Sequence, residues 1–552
     1  MFKKAPKYPQ VDLLSSTDQH LDARRQKALH DPNGWQNTFY REIFVNIDES
    51  VFKPIYDNRM GAPNAPVNQL VAMMILKDGM GLSDEQLFEA CRFHMLYRHA
   101  LGCINISDRI PTESTYYKFR RDVEAYQRKH EVDLFGKIFT NITSDQIIRF
   151  NLSGKQIRMD SKLIGSNIAS YSRFELVHAT ITLFYSSLND RAKTRMPDAL
   201  ASQVVQMTKE NAESMVYHST TDEIKDKLGD LGQRMHQLLK CYTSADSDQY
   251  ELLERVFNEQ FAIDSEQDDS DPNSDAGADA APKKTAIVAR PASDITCDSV
   301  QSPFDPDCGY RKKNGKQTKG YNVNLTETID KDELNLITDM QVVPAHCGDS
   351  GFVQPAISQT QKRLGGHVKT CFADGAFNRS LEHEQDDQRK YDGDGKDEHE
   401  DISHVEMVLS GIQGAPSRFE LHQTSDGLQV TDTQTRRVHQ ATPVRRRDPE
   451  AKPAWRITLE NGGRRYFSER EIRACEQRRL LTDKDYWERT RTRNNVEASI
   501  YHLAHTLKRA KTVYRGIVRT KIWAWGRAMW VNMRRIVRYL EKQTASPKQC
   551  AA

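Results

Sequence analysis

The chain has 552 residues, with 79 Lys and Arg against 77 Asp and Glu, a net charge of +2, and 38% hydrophobic residues. That length exceeds one ordinary hydrophobic core, so two or three domains are expected of a globular protein with polar loops. No apolar stretch approaches bilayer-spanning length, and no long apolar run follows the N-terminus as in a secretory signal. The nine cysteines are scattered, with no Cys-x-x-Cys pair and no close Cys/His quartet. This argues against structural zinc and a disulfide framework and points to a reducing cytoplasm.

The first 60 residues carry no clear pattern. From Val67 the sequence predicts a helix through Lys77, broken at Gly79-Met80-Gly81. Ser83-Asp84-Glu85-Gln86 then reads as a capping box opening a second helix, with Leu87, Cys91 and Met95 or Leu96 on one face. Pro111-Thr112-Glu113-Ser114 opens a third, which carries Lys118, Arg120 and Arg121. This succession is compatible with a helix-turn-helix DNA-binding unit, while periodicity alone favours a plain helical bundle.

Gln156-Ile157-Arg158-Met159-Asp160 predicts a strand ending at Asp160. A helical stretch follows from about Ser172 to Asn258. The acidic run about 264–282 has almost no apolar residues and reads as a disordered loop. Residues 320–329 and 333–343 alternate with period two and predict a hairpin joined by Asp330-Lys331-Asp332. A helix over about 352–364 leads to a strand entering Phe372-Ala373-Asp374-Gly375. A second acidic run spans about 382–401. Short β-like segments at 405–409, 418–421, 428–431 and 455–459 then predict a β-rich insertion. The order strand, hairpin, helix, strand is that of a ribonuclease-H-like mixed sheet.

Between Tyr501 and Cys550 stand 12 Lys and Arg residues and a single acid, Glu541. So basic a segment predicts a polyanion partner; a solvated basic helix is the plain alternative. Directly before it, at the start of what reads as one long basic helix, lies Arg493-Asn494-Asn495-Val496-Glu497, with base and acid one helical turn apart.

Asp160, Asp374 and Glu497 are far apart in sequence, yet two strand ends and a helix can bring them to one point. Three carboxylates are hard oxygen donors suited to a pair of divalent ions. Two such ions, roughly 3.5–4 Å apart, activate the incoming oxygen and stabilise the leaving oxygen in phosphodiester chemistry. Taken singly, each acid is better explained as a turn or cap residue. Asp349 reads as an N-cap or a fourth acid. Asp483, Asp485 and Glu488 compete for the third position without an Arg four residues earlier. Trp523, Trp525 and Trp530 have core spacing, with base stacking as the alternative. There is no Gly-rich nucleotide loop and no Ser/His/Asp signature.

Together these features resemble the DDE transposases of bacterial insertion sequences. Asp160-Ser161-Lys162-Leu163-Ile164-Gly165-Ser166-Asn167 matches that family's Asp-Ser-x-x-Ile-x-x-Asn setting. Asp374-Gly375 resembles its Ala-Asp-Gly-aromatic turn, and Arg493–Glu497 its Arg-x-x-x-Glu pair. Asp305-Pro306-Asp307, Gly320-Tyr321-Asn322, Arg515-Gly516 and Asn532-Met533-Arg534-Arg535 also fit. The chain departs from the family at Thr490 and Ala504, where a Tyr and a Lys are usual; Lys508 stands in as a phosphate contact near the Glu497 face.

The resemblance implies an α+β multidomain protein. Its parts are a helical DNA-binding domain (1–150), a ribonuclease-H-like core (151–170 and 300–382), a helical insertion (171–299), an acidic loop and β-rich insertion (383–480), and the Glu497 helix with basic C-terminal helices (481–552). It implies Asp160, Asp374 and Glu497 as catalytic metal ligands for two Mg2+ or Mn2+ ions. Arg493, Lys508, Arg509, Arg515, Lys118, Arg120 and Arg121 would contact DNA. The partners would be double-stranded DNA at terminal inverted repeats and target, bound by a homodimer. A binding-only descendant and another ribonuclease-H-like nuclease are the competing readings.

Overall fold

The computed structural model describes the chain except residues 1, 7–10, 13, 58–62, 265–285, 331–333, 378–403, 413, 415, 426, 445–453, 461 and 546–552. Both acidic runs therefore lie outside the described residues, apart from Asp264 at the end of a short strand. The fold is α+β: a helical N-terminal region, then a mixed sheet.

The N-terminal helices include Trp35–Glu42, Val67–Met80, Asp84–Phe93, Glu113–His130 and Leu134–Arg149. Val67–Met80 is apolar nearly all round and accordingly buried nearly all round. It ends at Gly81, whose φ of +71° is open to glycine without a Cβ penalty. The capping box at Ser83 and Gln86 forms as expected, and Thr112 caps the next helix through the N–H of Thr115.

The strands are β1 (Gln156–Gly165), β2 (Phe261–Asp264), β3 (Ala286–Ala289), β4 (Gly309–Lys313), β5 (Lys316–Thr328), β6 (Ile337–Pro344), β7 (Thr370–Ala373) and β8 (Glu406–Leu409), followed by β9 (Phe419–Thr424), β10 (Gly427–Asp432), β11 (Val438–Pro443), β12 (Ala454–Thr458) and β13 (Arg464–Ser468). The main sheet runs β5-β1-β7-β8, with β4 and β6 along the other edge of β5. β1 is antiparallel to β5, while β7 and β8 are parallel to β1.

Period-two alternation gives the sheet two different faces. Ile157, Met159, Cys371 and Ala373 pack with the helix Val353–Leu364 on one. Ile164, Tyr321, Val323 and Leu325 belong to the other, and share one core with the N-terminal helices and the long helix Ile517–Ala545. The helices from Arg173–Ser187 to Tyr250–Gln260, with β2 and β3, keep a core of their own. β9 to β13 form a separate meander packed under the helix Glu469–Leu480.

Four expectations need correction. β1 does not end at Asp160 but continues five residues to Gly165, because Ser161–Gly165 pair with Gly320–Asn324 of β5. The segment at 405–409 is not part of the β-rich insertion: as β8 it pairs with β7 and edges the main sheet. Glu497 does not begin one long basic helix. It lies in a short helix, Asn495–Ala504, separated from Ile517–Ala545 by a turn at Lys508–Ala510 in which Arg509 has a φ of +55°. Lys508 therefore sits beyond that helix, not along its Glu497 face.

Candidate functional site

Asp160 and Asp374 reach each other through strand register. β1 and β7 run parallel with Arg158 opposite Phe372. Two residues on, Asp160 falls beside Asp374, which directly follows the last residue of β7. Two residues is one full side-chain period, so both aspartates leave the sheet on the face of Arg158 and Phe372. Each is braced by its own backbone: Asp160 Oδ1 accepts from Ser161 N–H at 2.9 Å and Asp374 Oδ1 from Gly375 N–H at 2.6 Å.

Gly375 serves space more than torsion. A Cβ there would come within 2.4 Å of the backbone of Gly411, just past β8. The tight departure from β7 thus depends on two backbones touching.

The third element is the turn Arg491–Asn494 with the helix Asn495–Ala504. Arg493 Nη2 donates to Asp160 Oδ2 at 3.0 Å, and its Nη1 lies 4.0 Å from Glu497 Oε1. The guanidinium therefore stands between the first and third acids. Glu497 is 69% exposed, against 16% for Asp160. Burial pushes the Asp160 carboxyl above its ordinary range; Arg493 opposes that, and the neighbouring charge of Asp374 adds to the rise.

As hard oxygen donors on adjacent strands, Asp160 and Asp374 fit one side of a divalent cation site. Glu497 does not stand with them here. Among the described residues, no three His, Cys, Asp or Glu side chains lie close enough to hold one ion. Arg493 occupies the gap.

The remaining site residues divide by environment. Lys508, Arg509 and Arg515 are exposed around the turn after the Glu497 helix, Arg515 being held by Nε donating to the Asn167 carbonyl at 2.6 Å. Lys118 and Arg121 are exposed on the helix Glu113–His130, Lys118 paired with Asp122 at 2.6 Å. Arg120 turns inward instead, stacking on Tyr116 and Tyr514 and lying 3.5 Å from Asp84.

Several open alternatives close. Asp349 is neither an N-cap nor a neighbour of Asp160. It is buried, accepting from Asn322 Nδ2 at 2.7 Å and Arg311 Nη1 at 3.0 Å. Asn322 faces away from Asp160, because it lies three residues from Leu325, the cross-strand partner of Asp160. Asp483 caps the helix Lys484–Thr490 through Tyr486 N–H. Trp523, Trp525 and Trp530 are buried core residues. Arg527 is also fully buried, so the C-terminal basic run is not one solvated face.

Sequence reading missed Glu327, Arg158, Ser499 and Arg535, which interlock beneath the site. One signal was available: on β5 the alternation Val323, Leu325, Glu327 places a charge where an apolar residue is due.

Residues 28–122 match a family model described as a transposase domain (DUF772). This supports a transposase family for the chain and a DNA-processing role in transposition. No curated protein and no solved structure matches. Among the described residues, no helix is long and apolar enough to cross a membrane.

Proposed function

We propose that the protein is a DDE transposase that binds the terminal inverted repeats of its own element and catalyses metal-dependent strand cleavage and strand transfer. The observation that carries this reading is the meeting of Asp160 and Asp374 on adjacent parallel strands, with Arg493 linking Asp160 to Glu497. The strand order, three antiparallel strands followed by two parallel to the first, supports a ribonuclease-H-like core for that pair. The transposase-domain match in the helical region supports the DNA-processing half of the reading.

In this proposal Asp160 and Asp374 would hold Mg2+ or Mn2+, with Glu497 as the third ligand, and Arg493 would have to leave the gap between them. A bound divalent ion supplies positive charge for the reacting phosphate and for the attacking oxygen. Arg493, once released from Asp160, would grip a phosphate oxygen by paired N–H donors. Arg515, Lys508 and Arg509, exposed around the turn after the Glu497 helix, and Lys118 and Arg121, exposed on the helix Glu113–His130, would contact the DNA backbone. The partner is double-stranded DNA, held by a homodimer so that two ends meet two sites.

The test is cleavage of labelled DNA carrying the gene's flanking sequences, with Mg2+ or Mn2+, comparing the natural protein with Asp160→Asn. Cuts at defined flanking positions by the natural protein alone are expected. Equal cutting by both would remove Asp160 from the chemistry. End binding without any cutting would leave a DNA-binding protein.

A further inference from the structure

Glu327 on β5 is fully buried and sits at the centre of a polar cluster drawn from four elements. Its Oε1 accepts from Arg158 Nε of β1 at 2.5 Å. Its Oε2 accepts from Arg535 Nη2 of the long C-terminal helix at 2.7 Å and from Ser499 Oγ of the Glu497 helix at 2.6 Å. Arg535 Nη2 also reaches Ser499 Oγ at 2.5 Å, and its Nη1 reaches the Asn335 carbonyl at 2.8 Å. Arg158 Nη1 continues to the carbonyl of Thr492 at 3.3 Å.

Such a cluster is poor evidence for stability, because a buried ion pair returns little more than its desolvation cost. Its geometry shows what else it does. Arg158 lies two residues before Asp160 on the same sheet face, and Ser499 lies two residues after Glu497. Thr492 immediately precedes Arg493. Asp160 and Glu497 are thus each two residues from a partner of Glu327, and Arg493 is one residue from Thr492, whose carbonyl accepts from one of those partners. The hydrogen bonds fix both the elevation of the Glu497 helix over β1 and the path of the turn that aims Arg493.

We infer that Glu327 is a positioning residue, which acts through Ser499, Arg158 and Arg535 to set Glu497 and Arg493 relative to Asp160. This rests on the proposed role of those three residues in metal-dependent DNA chemistry. Groups that orient metal ligands from behind are typically worth about 10–100-fold in metal affinity or activity.

Ser499→Ala breaks the link between Glu327 and the Glu497 helix while leaving all three charges in place. In the full-length protein acting on labelled flanking DNA, the variant is expected to need about tenfold more Mn2+ for half-maximal cleavage. Its metal-free DNA affinity and unfolding midpoint are expected to stay close to those of the natural protein. Unchanged Mn2+ dependence would overturn the inference. Glu327→Gln, if it folds, is expected to shift the Mn2+ requirement further in the same direction, and a folded variant with natural Mn2+ dependence would overturn the inference as well. If it does not fold, Ser499→Ala decides alone. Asp160→Asn run alongside separates the two levels. Full cleavage by that variant would refute the catalytic reading itself. Its inactivity, together with natural Mn2+ dependence in Ser499→Ala, would refute the role of Glu327 only.

Discussion

Arg493 and Asp160 form a nearly enclosed ion pair, Nη2 to Oδ2 at 3.0 Å, with side chains 13% and 16% exposed. The Arg493 Nε has no hydrogen-bond partner although it is buried. A guanidinium in this position offsets the charge of two adjacent aspartates, as a bound cation would. It must therefore compete with any cation that binds there. Arg493→Gln is expected to bind Mn2+ more tightly in the absence of DNA, as read by calorimetry. The same variant should lose cleavage by about 10²-fold, the usual cost of one donor aimed at a reacting group. Weaker or unchanged Mn2+ binding would show that the guanidinium does not block the site.

Asp374 gives a test that separates a catalytic acid from a structural one. Burial is the main reason the Asp160 carboxyl is raised, Arg493 opposes it, and the charge of Asp374 adds a smaller repulsion. Asp374→Asn keeps the shape and relieves that repulsion. The variant is expected to be inactive yet at least as stable as the natural protein in metal-free buffer. Denaturant titration checks the sign. A clear loss of stability would mark Asp374 as a structural turn residue.

The local setting of each acid, on a strand, at a strand end or in a helix, is legible from sequence because each signal is local. A strand-like run into Asp160, a strand into Asp374-Gly375, and an i, i+4 Arg–Glu pair are all readable within seven residues. What was not legible depends on distant partners. β8 has only four residues, and its membership of the main sheet is decided by β7, more than 30 positions earlier. β4 carries Arg311, Lys312 and Lys313, which hide a strand from any hydrophobic pattern, although Asn314-Gly315 with φ of +51° and +77° is a strong hairpin signal. In sequence the basic C-terminal run reads as one charged segment. A count of charges cannot say that Arg527 faces inward to the carbonyls of Asp78, Gly79 and Leu503, or that Arg535 serves Glu327.

Gly375 predicts a specific defect. With the Gly411 backbone 2.4 Å from where its Cβ would lie, alanine must push β7 and the segment after β8 apart. Gly375→Ala is expected to cost about 1–3 kcal/mol, the range for overpacking in a close-packed interior. The displacement falls directly on Asp374, so cleavage measured where the variant remains folded should drop further than lost stability explains. Natural activity in a folded variant would show that the Asp374 turn tolerates the shift.

Asp78 makes the junction between the helical region and the C-terminal helices sensitive to pH. It lies in the last turn of the helix Val67–Met80, and its Oδ1 accepts from Tyr514 O–H at 2.6 Å. Burial lifts its carboxyl from 3.8 to about 6, against the opposing pull of Tyr514, Lys77, Arg120 and Arg527. A carboxyl raised on folding favours the folded state most at low pH. That contribution is complete below about 3.8, declines through the interval up to about 6, and is gone above it. Its size is on the order of 3 kcal/mol. Asp78→Asn keeps an acceptor for Tyr514 and cannot ionise, so the difference in stability between the variant and the natural protein should grow in the variant's favour from pH 4 to pH 7. Unfolding midpoints at several pH values across that interval measure it. A difference that stays constant with pH would mean that Asp78 is ionised throughout, held so by the cations packed around it.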